Sequence, residues 1–495
     1  MENNKESYKQ IFKSTTIVGG SQIINIAIGI IRNKVIAILL GPAGVGVSGI
    51  FQTIIDLVRN GTGLGINFSG VKNVAENNTD PHRVAKTILI LRRWEFGTGL
   101  VGMIVIIVLC KFFSNYSFGS DAYTFSIAIM SVTLLITAVS AGQLAILQGL
   151  RRIGEMAKAN LLGSVLGTVI SLPLFWWLGI SGVVPSMILT ALGALTISWL
   201  YARRVITEPV QLSLSQTFTE GLGMAKLGFF IVVNGFVATA SLYLIRILIR
   251  SHLGLDSVGY FQAVWTISTM YINILLNSML ADYFPRLSVI KDDKIASNKL
   301  INEQLEMTLL VGTPMLLLMI AFSSLAISIL YSSSFHVAIS VLKWQMMASF
   351  FTFISWTMGV LYLSKNKGWY AIIAETIRQA VYISFIFAGW RYFGFNVLGI
   401  GFLAGNLACL FFVIYSTKRL NAFSFSFINV KSIFFLGGSV LATLSSSLYL
   451  NGIFQYFTNG FLILLTFIFC LYRLDKILDI RTWFKTRYKS FRRIQ

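Results

Sequence analysis

Five basic residues, Arg32, Lys34, Arg59, Arg246 and Arg378, stand inside apolar runs long enough to cross a bilayer, and Asp56 and Glu375 are the clearest buried acids. A charge at the centre of a spanning helix costs at least ~2.5–3.5 kcal/mol on insertion scales, so such residues face a bundle interior or a wet cavity. Asp56 and Arg59 are three residues apart, as are Glu375 and Arg378, which puts each pair on one helix face where it can neutralise itself. The alternative role for Asp56, and for Glu375 with Arg378, is ion coupling: an acid near cations inside the membrane changes protonation as its surroundings change. Arg32, Lys34 and Arg246 have no acidic neighbour at helical spacing. Arg250 follows Arg246 by four residues on the same face, where it either joins the buried set or snorkels to the outer headgroups. An excess of buried cations suits an anionic ligand. The planar donor fork of Arg suits a phosphate in particular.

The elements that position these residues are membrane helices. Of 495 residues, 55% are hydrophobic and 12% are charged, and the mean hydropathy is +0.74. Hydrocarbon offers no water to satisfy loose backbone, so apolar blocks of about 20 residues must be helical. The short alternating segments of a β-barrel are absent from the sequence. Breaks at charged or Gly/Pro/Asn-rich points give fourteen candidate spans: 15–40, 44–68, 88–113, 122–149, 158–178, 180–202, 222–250, 255–284, 304–330, 339–363, 369–390, 395–417, 430–450 and 453–472. The first run is too long for a signal-peptide core and lacks a small-residue cleavage site, so it reads as a retained span. The expected fold is an all-α polytopic membrane protein.

The net charge of +21 would suggest nucleic acid in a soluble protein. With fourteen spans and both termini cytoplasmic, 31 of the 40 Lys and Arg fall in inside segments. Only Lys111, Arg250, Lys343 and Arg391 fall outside. That is a positive-inside pattern, and it removes the argument for nucleic acid. All loops are short, which leaves no room for a soluble catalytic domain. Cys110, Cys409 and Cys470 read as buried small hydrophobes. The three histidines are too scattered for a metal cluster. No cofactor is expected.

A weak repeat links two parts of the chain. GPAGVGVSGIFQ (41–52) and SHLGLDSVGYFQ (251–262) align at an offset of 210 residues, matching Gly44 to Gly254, Gly49 to Gly259, Phe51 to Phe261 and Gln52 to Gln262. Both segments read as outer turns. Six spans separate the copies, so the halves run parallel, a known transporter plan with substrate between the halves. The expected division is an N-lobe over 1–204, a C-lobe over 205–420, a separable C-terminal hairpin over 421–472 and a basic cytoplasmic tail over 473–495. The eighth span carries Gln262, Trp265, Tyr271, Asn273 and Asn277. Such residues glue helices together or contact sugar.

Four segments carry a family resemblance. RNKVIAILLGPAGVGVSGIFQ (32–52) resembles the first hairpin of O-antigen translocases, the Wzx-type flippases. LQGLRRIGEMAKANLLGSVLG (147–167), ADYFPRLS (281–288) and SWTMGVLYLSKNKGW (355–369) are similar to later parts of the same family, in the same order. That family lies in the multidrug/oligosaccharidyl-lipid/polysaccharide exporter superfamily. The resemblance implies two six-helix lobes, alternating access, and residence in the bacterial inner membrane. It implies a substrate of undecaprenyl pyrophosphate carrying an oligosaccharide, with membrane lipids, a polysaccharide polymerase and a chain-length regulator as partners. The extra hairpin resembles that of the lipid II flippase MurJ. On this reading Arg32, Arg59 and Arg246 bind pyrophosphate, Arg250 and Lys34 stand second, and Lys72 and Lys226 aid capture at the cytoplasmic mouth. Gln262, Trp265, Asn273 and Asn277 are the candidate sugar contacts. The rivals are a drug or cation exporter of the same superfamily, which would favour acids in its cleft, and a non-transport component of polysaccharide assembly.

Overall fold

The computed structural model describes residues 2–77, 80–205 and 209–478, and the side chains of these apart from 2–23, 226, 227, 271, 281 and 478. Fifteen α-helices and no strand occur among the described residues. Eleven stretches of them are long and apolar enough to cross a membrane. Three of these, Ile24–Thr62, Ile153–Ala202 and Gly368–Asn421, are 39, 50 and 54 residues long. At 1.5 Å per residue each much exceeds a ~30 Å hydrocarbon layer, and each is broken internally at a glycine.

By its contacts the chain divides into two compact units, 1–262 with 329–334, and 263–328 with 335–495. The first holds α1 (Glu2–Thr62), α2 (Ile66–Glu76), α3 (Pro81–Phe118), α4 (Thr124–Gly149), α5 (Ile153–Leu178), α6 (Val183–Ala202), α7 (Leu214–Leu253) and the first turns of α8 (Leu255–Val289). Helix starts follow local chemistry. Asp80 caps α3 by accepting from the His82 and Arg83 N–H groups, with Pro81 at the first helical position. Ser213 and Gln216 form a reciprocal capping box on α7.

The segment 41–52 is not a turn. It is helical from Pro42 onward, and the chain breaks only at Gly41, whose φ of 62° favours glycine. The second copy breaks at Gly254, φ 84°. The repeat motif therefore packs helix on helix. A Cβ on Gly259 would meet the Pro42 carbonyl oxygen at 1.9 Å, and one on Gly46 would meet the Leu255 oxygen at 2.7 Å. Small residues let the backbones touch here. The span expected over 44–68 also ends early: α1 stops at Thr62, and α2 starts at Ile66 after a break at Gly63–Gly65.

The second unit holds the rest of α8, α9 (Lys294–Ala321), all but the last two residues of α10 (Ser323–Leu330), α11 (Ile339–Ser364), α12 (Gly368–Phe393), α13 (Val397–Asn421), α14 (Phe427–Tyr449) and α15 (Gly452–Leu478). The ninth span, read as 304–330, starts instead at Lys294 and is interrupted at Phe322. The C-terminal hairpin is not a loose appendage. Both α14 and α15 pack on α9. Asn302 donates to the Ser424 oxygen at 3.0 Å and accepts from the Ser426 N–H at 2.8 Å, and Arg473 pairs with Glu306. Arg473 thus belongs to a helix contact rather than a tail. Residues 479–495 of the expected tail lie outside the described residues, as do the side chains of Lys5, Lys9, Lys13 and Lys226.

Candidate functional site

The first unit brings Arg59, Glu95 and a broken helix to one cavity. Arg59 lies in the last turn of α1. Its backbone oxygen accepts from the Gly63 N–H at 2.8 Å, and the chain then turns through Leu64 and Gly65 at φ 50° and 66°. Gly65 presses on α7: a Cβ there would meet the Gly228 Cα at 3.1 Å, so a side chain would push the helices apart. Irregular backbone at membrane depth is tolerated only where protein buries it or water reaches it. Here it opens onto a cavity of about 300 Å³ lined by Arg59, Asn60, Thr62, Gly63, Gly65, Asn67, Phe68, Glu95 and Thr98, with Ile231 and Val232 of α7 opposite. The first residues of α2 face this space, and the positive end of that helix adds to the Arg59 charge.

Glu95 lines this cavity and was not singled out in the sequence. It is 6% exposed, and among the described residues its carboxylate has no hydrogen-bond or ion-pair partner within contact distance. The flanking residues hold it in place. Trp94 donates its indole N–H to the Thr217 oxygen at 2.8 Å and stacks on Phe218, while Arg93 donates to the Leu212 oxygen and Thr217 Oγ1. Arg92 and Arg93 lie within the long α3. The sequence signals for this site were the single acid in RRWEF and the glycines of GTGLG (61–65), inside a run read as one span.

Asp56 does not pair with Arg59. Its Oδ1 accepts from Gln52 at 3.0 Å, and no ion pair within 4 Å joins it to Arg59. Arg246 is 3% exposed and donates to the Gly49 carbonyl of α1 and to Gln262 Oε1 of α8. It ties together the two copies of the repeat, and Gln262 is engaged in that tie. The two matched glutamines have diverged: Gln52 serves an acid and Gln262 a base. Arg250 donates to the Phe118 oxygen and lines a second cavity with Phe118, Tyr123, Ser251, Gly254 and Leu255. Val232 and Arg250 are eighteen residues apart on α7, so about 27 Å separates the two cavities along that helix. Arg32 is half-buried, and its Nε has no partner. Lys34 is half-buried on the same segment. Lys72 is exposed and pairs with Glu76 at 3.7 Å.

Among the candidates of the second unit, Glu375 pairs with Arg378 and also accepts from Gln379 at 2.7 Å. Trp265 meets Phe402 edge-on at 6.0 Å. Asn273 and Asn277 are exposed on one face of α8. Among the described residues no group of three or more His, Cys, Asp or Glu is placed to hold a metal ion.

Long apolar helices, three of the stretches broken at a glycine, around a polar cavity are a membrane-protein architecture. The fold agrees: the chain superposes on the lipid II flippase MurJ in an inward closed conformation with a TM-score of 0.66 and 15% identity, covering 93% of this chain and 99% of that one. It also superposes on an inward-facing multidrug resistance MATE family transporter of the MOP superfamily, TM-score 0.64 and 16% identity, covering 81% and 95%. The chain belongs to the polysaccharide biosynthesis protein family, whose pattern matches residues 35–340. A curated relative, the lipid III flippase of Escherichia coli strain K12, is 21% identical over 392 residues, 78% of this chain and 92% of its own length. The protein is a multi-pass transporter of the bacterial inner membrane.

Proposed function

We propose that the protein is a flippase that moves an undecaprenyl-pyrophosphate-linked oligosaccharide, an O-antigen or related repeat unit, from the cytoplasmic to the periplasmic leaflet by alternating access. The observation that carries this reading is the Arg59 cavity. A guanidinium without an ion-pair or hydrogen-bond partner among the described residues and a helix N-terminus meet there at a break in an apolar span, the chemistry that a pyrophosphate needs and that a lipid-facing surface has no use for. The relatives support the substrate class, since one is named for lipid III and another for lipid II. The polyprenyl chain stays in lipid while the charged head passes through protein.

On this reading the three over-long stretches each cross twice, giving fourteen passes in two six-helix lobes and a hairpin. Both termini are then cytoplasmic. Arg59 is the first-rank phosphate ligand, with Arg32 and Lys34 above it on α1 and Arg250 at the far cavity receiving the head near the opposite face. Arg246, held by Gly49 and Gln262, serves the architecture. Asn273 and Asn277 remain exposed candidates for sugar contact. Asp56, bonded among the described residues to Gln52 alone, is a better coupling candidate than the closed Glu375–Arg378–Gln379 set. A polymerase and a chain-length regulator are the expected partners. The drug exporter reading shares the fold, and the unpaired acid Glu95 favours it to the extent that acids attract cations. Arg59 in the same cavity opposes it.

The test is complementation of flippase-deficient strains, each making a different repeat unit. Restored surface polymer in at least one strain, lost again with R59A at equal protein level, is expected. No restoration in any strain, together with drug efflux, would replace the reading with its rival.

A further inference from the structure

We infer that Glu95 is a saccharide acceptor: its carboxylate takes the hydroxyl or amide N–H donors of the sugar whose phosphate Arg59 holds. The inference rests on the flippase reading and deepens it. Glu95 is a buried acid whose carboxylate has no hydrogen-bond or ion-pair partner among the described residues, and it opens on a cavity that also holds Arg59, Asn60, Asn67 and Thr98. A carboxylate gains from donors that meet it in a confined site, and a ligand that brings hydroxyl or amide N–H donors into this cavity supplies what the described residues do not. Asn60 already uses one donor on Thr239 at 3.4 Å, and Thr98 donates to the Trp94 oxygen at 2.9 Å. The neighbours therefore do not turn to Glu95.

What the ligand must be follows from what shares the wall. A cation alone is disfavoured by Arg59, and one carboxylate supplies too few ligands for a metal. A phosphate alone engages Arg59 and brings Glu95 no donor. A group that is anionic at one end and rich in neutral donors at the other satisfies both, and a sugar phosphate has that form. The volume of about 300 Å³ is at the small end of ligand pockets, ~300–1,000 Å³, so a sugar next to the phosphate fits and a long glycan does not. Phe68, exposed at the cavity edge, offers an apolar face beside it.

The experiment titrates purified full-length protein in lipid nanodiscs with N-acetylglucosamine 1-phosphate and with inorganic pyrophosphate. The wild type is expected to bind both. E95A is expected to weaken the sugar phosphate about ten- to hundred-fold, the range for hydrogen bonds to a charged group, and to keep pyrophosphate binding, which also shows that it is folded. E95D, one methylene shorter, is expected to lie between. R59A is expected to lose both probes. Equal affinity of E95A and wild type for the sugar phosphate overturns the inference. So does an equal loss of both probes in E95A, and so does intact sugar binding joined to a translocation rate that no longer responds to a pH gradient, which makes Glu95 a proton carrier. Failure of the wild type to bind either probe removes the flippase reading itself, and the inference with it.

Discussion

In the second unit three charges that the bilayer penalises are each met by a neighbour. Arg378 has Glu375, Arg473 has Glu306, and Lys343 donates to the Ser447 oxygen at 2.7 Å. In the first unit Arg59 and Glu95 line one cavity without any ion pair between them, although both lie in apolar helices. A charge that is closed on itself holds helices together. On the proposed function, a charge left open beside a cavity is held for the ligand. The difference separates architecture from function among residues that look alike in the sequence, where Asp56–Arg59 and Glu375–Arg378 have the same spacing. One pair closes and the other does not.

The comparison can be broken most severely on the closed side. E375A leaves the half-buried Arg378 without its carboxylate partner, and a loss of up to ~3–5 kcal/mol of stability is expected, read as a lowered unfolding midpoint in detergent. The double variant E375Q/R378Q removes both charges and is expected to recover most of it. A stable E375A protein would mean that the pair is not structural. On the open side, R59A is expected to slow translocation by about a hundred-fold, the loss of a charged hydrogen-bond partner to phosphate, with a near-normal unfolding midpoint. A lowered midpoint would place Arg59 with the closed charges. Next comes the repeat contact. G259A pushes a methyl against the Pro42 carbonyl, for which overpacking of ~1–3 kcal/mol is expected. G438A, in open space on α14, is the control and should melt like wild type. The smallest effect is expected for N277A, a few-fold weaker use of saccharide substrate from one lost exposed hydrogen bond, measured as a rise in half-saturating concentration.

The class of fold was legible because apolar blocks of about 20 residues allow only helices in hydrocarbon. The helix ends were less so. Gly61-Thr-Gly-Leu-Gly65 reads as continuous apolar chain, and only its packing on Gly228 of α7 shows why it breaks. Glu95 was hidden by its neighbours: Arg92 and Arg93 look like the edge of the membrane until their helix is seen to start at Pro81. Arg246 was visible as an odd charge, but its partners Gly49 and Gln262 lie 197 and 16 residues away. Local spacing gives pairs three and four apart and nothing further. The repeat pointed to both partners as matched positions, without showing that they touch.

The central claim is that the open charge of the first unit carries the substrate while the closed pair of the second does not. Its most direct test is the rate at which reconstituted proteoliposomes translocate a polyprenyl-pyrophosphate-linked saccharide, compared between wild type, R59A and E375Q/R378Q at equal protein incorporation. The account predicts near-background transport by R59A and near-normal transport by the double variant. Normal transport by R59A, or loss of transport in a stably folded E375Q/R378Q protein, would contradict it.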